Sequence, residues 1–202
     1  MTGLSWASLS TPVGPVSVGC SEAGVARIRY GRPTIATRGE RGRPRPDEHT
    51  GELREAVPPA EHSAAARFAE AASAELVEYF RGDRQTFEVP VDWATTAGPQ
   101  RQVLMVLAET VGYGQTISYG ALARRARLSA DPAPARAVGT IMATNPIPVV
   151  VPCHRVLASD GIGGYSGGSG VEVKRWLLIL EGSQPPTLDW DARGCDQASR
   201  SG

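Results

Sequence analysis

The sequence predicts an α/β (α+β) fold, in which a small N-terminal domain of sheet and helix precedes a mostly helical C-terminal domain. Three features support this: β-rich runs divided by glycine and proline at the start, helical periodicity in the second half, and a helix-turn-helix pattern followed by a Pro-Cys-His-Arg segment. The 202 residues, 41% of them hydrophobic, suffice for a real core. We expect an N-terminal domain at 1–92, a C-terminal domain at 97–182 and a polar tail at 183–202.

The N-terminal domain begins with three short β-rich runs, at 4–9, 15–20 and 25–30. The glycine- and proline-containing turns between them predict a small antiparallel sheet. Residues 32–59 are rich in Pro, Gly, Arg and Glu and show no hydrophobic period, which is typical of a long mobile surface loop.

A helix is predicted from about Ala60 to Arg81, because apolar residues recur there at i, i+4 along one face and Gly82 supplies a stop. These apolar residues are Phe68, Ala72, Leu76 and Phe80. A further strand is predicted at 87–91.

The C-terminal domain begins with a predicted helix at 99–110, whose inward stripe is formed by Val103, Val106, Leu107 and Thr110. Ser118 has the position of an N-cap for a second helix, which runs to about Ala126. A polar turn leads to a third helix at 135–143, and the last two helices form a helix-turn-helix pattern.

The helix at 135–143 has two interpretations. Its small residues Ala135, Ala137 and Gly139 would let a backbone approach a nucleic acid closely, with Arg136 as the single long cation. The same residues would also suit a helix that packs its small face against a neighbour and leaves Arg136 in solvent. The spacing alone favours neither.

The charge distribution is uneven. The formal net charge is zero, so the chain lacks the global basic surplus that often marks nucleic-acid binders. Residues 101–155, however, hold six arginines against one glutamate and one aspartate, a local net charge of +4. This stretch is compatible with a phosphate-binding face, and equally with solvated arginines.

The cysteines Cys20, Cys153 and Cys195 are far apart, which fits neither a zinc site nor a disulfide framework and suits a reducing cytoplasm. His49 and His62 lack partners at metal-ligand spacing, so we predict surface histidines and no metal. The sequence shows no signal peptide and no long apolar run, which argues against membrane insertion.

The segment around Cys153 carries the strongest chemical signal. The run Val149–Val151 leads into Pro152, so the chain is expected to arrive extended and to present Cys153 beside His154 and Arg155. Basic neighbours favour a thiolate, and this predicts a nucleophile rather than a buried structural cysteine. The glycine-rich run 159–168 is typical of a loop that approaches a flat ligand closely.

A last helix is predicted at 173–181, burying Trp176, Leu177 and Leu180. Glu181 at its end could be a plain solvated carboxylate or a partner for the active site.

These motifs resemble those of a known family. Pro152-Cys-His-Arg-Val after an Asn145-Pro-x-Pro segment is similar to the active-site signature of the methylated-DNA–protein-cysteine methyltransferases, the O6-alkylguanine-DNA alkyltransferases. Arg136-Ala-Val-Gly and Gly163-x-Tyr-Ser-Gly-Gly resemble that family's recognition helix and guanine-pocket wall. The resemblance implies a suicide DNA repair enzyme, which moves an alkyl group from O6 of a flipped-out guanine irreversibly to Cys153.

The resemblance also implies roles for individual residues. In the catalytic relay, Glu181 would hold His154, His154 would deprotonate Cys153 through an ordered water, and Asn145 would steady the turn before the cysteine. On DNA, Arg136 would fill the gap left by the flipped base and Tyr119 would push on the neighbouring phosphate. The recognition helix would contribute Ala135, Ala137 and Gly139, and the guanine pocket Pro148, Val156, Tyr165 and Ser166.

The implied partner is duplex DNA containing O6-alkylguanine, bound by a cytoplasmic monomer that associates with the nucleoid when on DNA, without cofactor or membrane. Departures from the family pattern include a longer turn before Arg136 and a longer link between Gly168 and Lys174, with Thr140 and Ile141 where smaller residues are common. Two alternatives stay open: a DNA lesion-binding or regulatory module, and a thiol alkyl acceptor for a small alkylated molecule. Relatives that lack the cysteine are excluded by Cys153 itself.

Overall fold

A computed structural model describes residues 3–31, 63–128 and 132–186 of the chain. The predicted mobile loop at 32–59 and most of the tail at 183–202 lie outside the described residues, as do His49, His62 and Cys195.

The chain begins with a three-stranded antiparallel sheet in the order β1-β2-β3, as predicted. The strands are β1 (Ser5–Thr11), β2 (Gly14–Ser21) and β3 (Gly24–Tyr30). Helix α1 (Ala64–Arg81) packs on one face of this sheet, so the two elements bury a common core. The core residues include Val16, Val18 and Ile28 from the sheet and Ala72, Leu76 and Phe80 from the helix.

The ends of α1 follow from its flanking residues. The Ser63 side chain accepts a hydrogen bond from the Ala66 N–H, which satisfies one of the free donors of the first turn. Gly82 ends the helix in the left-handed conformation, with φ of 83°. The predicted helix is thus confirmed from residue 64 onward.

The strand predicted at 87–91 is wrong. Only Val91 forms an isolated bridge, to Val25. The backbone N–H groups of Glu88 and Val89 donate instead to the buried Glu75 carboxylate, at 2.9 and 3.3 Å. Because a side chain on α1 satisfies these donors, the segment needs no ladder partner.

Within residues 98–128 and 132–186, the structure has four α-helices: α2 (Gly98–Thr110), α3 (Tyr119–Arg125), α4 (Pro134–Ala143) and α5 (Val171–Leu180). Helices α3 and α4 pack together as the predicted helix-turn-helix pair, and Ser118 caps α3 as expected. A short parallel ladder joins β4 (Ile117–Ser118) to β5 (Val156–Leu157), which ties the start of α3 to the chain just after Cys153.

Two details of the helical stripes differ from the prediction. On α2 the buried residues are Val103, Leu104 and Leu107, whereas Thr110 is exposed and donates its hydroxyl to the Val106 carbonyl. A threonine in the last turn can return its hydroxyl to its own helix, and solvent suits it better than the core. On α5, Trp176 and Leu177 are buried as predicted, while Leu180 is only half-buried.

The sheet and the helical half are in direct contact. The Ile28 N–H of β3 donates to the Pro146 carbonyl at 2.9 Å, in the segment that leads to Cys153. None of the helices in the described ranges is long and apolar enough to cross a lipid bilayer.

The tight turn between β2 and β3 gives a stability prediction. Gly24 has φ of 135°, and a Cβ there would overlap the Pro90 carbonyl oxygen, which accepts the Val25 N–H. Gly24→Ala should therefore lower the free energy of unfolding by about 2–4 kcal/mol, measured by urea denaturation. Gly112→Ala is the matched control, because its nearest contact would be an ordinary 3.8 Å. Equal stability of the two variants would contradict this account.

Candidate active site

The segment before Cys153 forms a compact turn, so the prediction that the chain arrives extended is wrong. Val149 adopts a positive φ of 73°, and the Val151 N–H donates to the Ile147 carbonyl at 2.9 Å. The Asn145 side chain holds both ends of the turn: its amide donates to the Val151 carbonyl at 2.8 Å, and its oxygen accepts the Ile147 N–H at 3.1 Å. A β-branched residue at positive φ is strained, and these bonds hold it there.

Cys153 begins a single 3₁₀ turn, Cys153–Arg155, and its thiol is almost fully buried. Burial raises the pKa of the thiol, and hydrogen bonds from Asn145 and Tyr165 together with the nearby Lys174 ammonium lower it only in part. The resting cysteine is therefore a protonated thiol. The sequence suggested that its basic neighbours would favour the thiolate, but burial outweighs them.

The His154 ring points to Glu181, and its Nε2 lies 2.9 Å from Oε1 of that carboxylate. Burial lowers the pKa of His154, although the carboxylate opposes this, so the ring is neutral near pH 7. A neutral ring facing a carboxylate carries its proton on Nε2. The buried Nδ1 is then an unprotonated base, and it has no hydrogen-bond partner within the described residues.

Glu181 is buried, and four of the described residues donate hydrogen bonds to it. Arg155 donates from Nε and a terminal nitrogen, both at 2.9 Å, and the Tyr79 hydroxyl donates at 2.6 Å. His154 Nε2 and, at 3.4 Å, the Gly114 N–H complete the set. Burial alone would raise the pKa of Glu181, but the hydrogen-bonding and electrostatic interactions with His154 and Arg155 together lower it from 4.5 to about 2. The carboxylate is thus ionised and held in place.

The thiol of Cys153 faces a cavity of about 360 Å³. Tyr119 from α3, Gly139 from α4, and Tyr165 and Ser166 from the glycine-rich loop share its lining with Cys153, Met142, Ala143 and Gly164. Asn145 does not line this cavity and instead holds the turn that precedes Cys153. The other two pocket residues implied by the family resemblance, Pro148 and Val156, are buried and absent from this lining.

A wider groove of about 740 Å³ lies beside the thiol cavity and shares Tyr119, Gly139 and Ala143 with it. The remaining lining residues are Ser118, Gly120, Ala135, Arg136, Thr140, Ala158 and Ser159. A Cβ on Gly139 would meet nothing within 4 Å among the described residues, so this small face of α4 is open rather than packed. Ala137 is half-buried and does not line the groove.

The six arginines of the basic stretch divide into two groups. Three of them make intramolecular hydrogen bonds. Arg101 donates to the Trp93 and Thr96 carbonyls, and Arg125 donates to Thr110. Arg155 donates to Glu181. Arg124, Arg127 and Arg136 are exposed and make no side-chain hydrogen bond or ion pair within the part of the chain that the structure describes. Only Arg136 of these lies in the groove.

The sequence interpretation missed three residues that contact the site. Tyr79 reaches Glu181 from α1, and Tyr30 of β3 contacts Tyr165, 3.0 Å between hydroxyl oxygens. Lys174 is fully buried and donates to the Val156 and Gly164 carbonyls, at 2.7 and 3.2 Å. Burial lowers the pKa of Lys174 to about 8.

Only Lys174 had a signal in the sequence. Lys174, Leu178 and Glu181 are spaced at i, i+4 and i+7, so they share one face of α5, and the other two residues of that face are buried. Tyr30 and Tyr79 occur among apolar residues of a strand and a helix, where they are indistinguishable from core aromatics.

The chain is similar in sequence and in structure to known proteins. Residues 99–183 match the model of the 6-O-methylguanine DNA methyltransferase DNA-binding domain. The chain is 39% identical over 132 residues to a methylated-DNA–protein-cysteine methyltransferase of Methanopyrus kandleri, covering 65% of this chain and 92% of that protein. It is 37% identical over 177 residues to a DNA base-flipping protein of Thermus thermophilus, covering 87% of this chain and 98% of that protein.

The match to the mouse methylated-DNA–protein-cysteine methyltransferase is closer but shorter. It has 54% identity over 83 residues and spans 41% of this chain and 37% of the mouse protein. Among solved structures, Mycobacterium tuberculosis OGT in complex with DNA superposes with a TM-score of 0.64 and 28% identity, covering 88% of this chain and 93% of that one. The chain belongs to the methylated-DNA–protein-cysteine methyltransferase family, with the two-domain α+β fold of its solved relatives.

Proposed function

We propose that this protein is a single-use DNA repair enzyme, which transfers an alkyl group, typically methyl, from O6 of guanine in duplex DNA irreversibly to Cys153. The observation that carries the proposal is the position of the thiol. It faces a cavity beside the α3–α4 groove, next in sequence to a buried histidine–glutamate pair. A buried thiol with its own base and an adjoining groove suits nucleophilic attack on a bound group.

The first step is deprotonation of Cys153. Burial keeps the thiol protonated at rest, so a base must take its proton when the alkylated base enters. His154 Nδ1 is unprotonated and buried, and we infer that it receives the proton through a bridging water. Glu181 stabilises the imidazolium that forms, while Arg155 and Tyr79 keep the carboxylate in position.

The second step is a single displacement. The thiolate electron pair forms the S–C bond as the bond between the alkyl carbon and guanine O6 breaks, and the electron pair of that bond leaves with guanine. The product is a stable thioether, and no group in the described site offers a route back. Each molecule therefore reacts once.

The alkylated guanine must leave the base stack of the duplex before it can enter the thiol cavity. Extrusion costs a few kcal/mol, and a side chain that fills the gap offsets part of this cost. Arg136 suits this role because it is exposed, lines the groove and has no intramolecular partner within the described residues. Tyr119 lines both the groove and the cavity, so it can contact the backbone beside the flipped nucleotide. Ala135 and Gly139 provide close approach along α4.

Both the groove and the relay residues are contributed by one chain, which supports action as a monomer on DNA. The free thiols of Cys20 and Cys153 suit a reducing cytoplasm. A second candidate, a base-flipping protein that binds lesions without chemistry, is favoured by the match to nearly all of the Thermus protein of that name. The intact relay around Cys153 argues for alkyl transfer instead.

Intact-protein mass spectrometry separates these candidates. After mixing with a duplex carrying one O6-methylguanine, the protein should gain a single methyl group on the peptide that contains Cys153, saturating at one per molecule. Cys153→Ala should gain none. Cys20→Ala is the matched control and should react normally, because burial raises the pKa of Cys20 to about 12 and keeps it inert. Duplex binding without methyl uptake by the folded, reduced protein would favour the base-flipping candidate.

Arg136 should matter for duplex DNA and not for an isolated base. We expect Arg136→Ala to slow methyl transfer from a duplex roughly 10- to 100-fold, because the gap in the stack is left unfilled. Transfer from free O6-benzylguanine should change less than about twofold. Arg175→Ala removes an exposed arginine from α5 outside the groove and serves as the control. An equal loss with both substrates would refute the role in base flipping.

Replacement of Glu181 should affect both the rate of alkyl transfer and the stability of the fold in acid. The pKa of Glu181 is about 2 in the folded protein and 4.5 in the unfolded chain. The ionised carboxylate therefore adds about 3 kcal/mol to the free energy of unfolding above pH 4.5, and this stabilisation is lost as the pH falls toward 2. Glu181→Gln should slow transfer at least tenfold and lower the free energy of unfolding at pH 7 by about 3–5 kcal/mol, because buried Arg155 loses its counter-charge.

Urea unfolding between pH 2 and pH 7 measures this effect. The stability of Glu181→Gln should depend less on pH than that of the wild type across the acidic range. Glu172→Gln, an exposed position on the same helix, should behave as wild type. A Glu181→Gln variant with the full acid dependence would contradict the assignment.

A further inference from the structure

The glycine-rich loop that follows β5 has no regular structure around Tyr165, so side chains from elsewhere in the fold hold it. Lys174 of α5 donates to the Gly164 carbonyl at 3.2 Å, and the Ser166 hydroxyl donates to the Ala143 carbonyl of α4 at 3.0 Å. A further contact comes from the N-terminal sheet, where the Tyr30 hydroxyl lies 3.0 Å from the Tyr165 hydroxyl.

Tyr165 is the member of this loop whose position determines the shape of the thiol cavity. It lines the cavity together with Cys153. Tyr30 does not line the cavity and lies behind Tyr165, with the two rings edge to face and their centroids 6.4 Å apart. Tyr30 therefore acts on the cavity only through Tyr165.

The contact between Tyr30 and the loop leaves little free space. A Cβ on Gly167 would lie 2.5 Å from Tyr30 Cε2 and 2.7 Å from Tyr165 Cε1, and a Cβ on Gly168 would lie 3.3 Å from Tyr30 Cδ1. Only glycine lets the loop pass this close to both rings. Because the space behind Tyr165 is filled by the Tyr30 ring, Tyr165 cannot move away from Cys153 toward the sheet.

Tyr30 itself is held by regular structure. It is the last residue of β3 and pairs with Val16 of β2, and the next residue, Gly31, donates its N–H to the Pro15 carbonyl at 2.7 Å. A ladder-bonded residue is a firmer support than a loop residue, so the sheet fixes the position of the cavity wall.

We propose that Tyr30 is a specificity-determining residue, which limits the size of the alkyl group that Cys153 accepts by holding the Tyr165 ring as a wall of the thiol cavity. The inference rests on the proposed alkyl transfer and adds the selection of its substrate. A methyl group needs little of the 360 Å³ cavity beyond the base, whereas a benzyl group on the same oxygen must extend toward the cavity walls.

The test compares two variants and two substrates. Tyr30→Phe keeps the ring and removes the hydrogen bond, and Tyr30→Ala removes both. Single-turnover rate constants are measured with duplexes carrying O6-methylguanine or O6-benzylguanine. We expect methyl transfer to stay within about threefold of wild type. The benzyl-to-methyl rate ratio should rise at least about fivefold in Tyr30→Ala, and by less in the same direction in Tyr30→Phe.

Tyr113→Phe is the matched control, because its hydroxyl donates only to the Leu180 carbonyl, at 3.0 Å, and its ring lines neither cavity. Its benzyl-to-methyl ratio should equal that of wild type. A ratio unchanged in folded Tyr30 variants that still transfer methyl would overturn this inference alone. Absence of methyl transfer in the wild type would overturn the proposed function and this inference with it. If Tyr30→Ala does not fold, the ratio in Tyr30→Phe decides the question.

Discussion

The site depends on one buried carboxylate. Glu181 at the end of α5 accepts hydrogen bonds from Arg155, His154 and Tyr79, and Arg155 also donates to the Val111 carbonyl at 2.7 Å. These contacts join α5, the Cys153 turn, α1 and the chain after α2 around a single charge. A buried charge is costly unless it is paired and fully hydrogen-bonded, so each partner must lie in its observed place. The position of the His154 ring is thus a consequence of how this charge is satisfied.

The state of the thiol follows from the same burial. Cys153 is kept as a thiol because desolvation outweighs its hydrogen bonds and the Lys174 charge. A protonated, buried cysteine is protected from oxidation and from stray alkylating agents. Under the proposed function, this protection matters because each molecule reacts once. The proposed role of His154 then makes reaction depend on a substrate group that occupies the cavity.

The α3–α4 groove shows how a chain of zero net charge can present a surface for DNA binding. Half of the arginines in the basic stretch serve the protein's own backbone or Glu181, so their number overstates the charge available to a partner. What the α4 face offers is an open surface of small residues with Arg136 beside the thiol cavity. In the proposed base flipping, close approach of α4 and the Arg136 side chain would offset part of the cost of unstacking.

Local patterns in the sequence were sufficient to predict the sheet, the helix-turn-helix pair and the caps at Ser118 and Gly82, because turn chemistry and helical periodicity act over a few residues. They misassigned residues 87–91, whose donors go to a distant glutamate, and the valine run before Pro152, which Asn145 folds into a turn. The contacts of Tyr30 and Tyr79 with the site carry no local signature, since they join residues 135 and 102 positions apart. The sequence by itself determined that a cysteine, a histidine and an arginine stand side by side at residues 153–155. Tertiary packing decided their protonation and the shape of the cavity, because desolvation and long-range contacts exist only once the chain is folded.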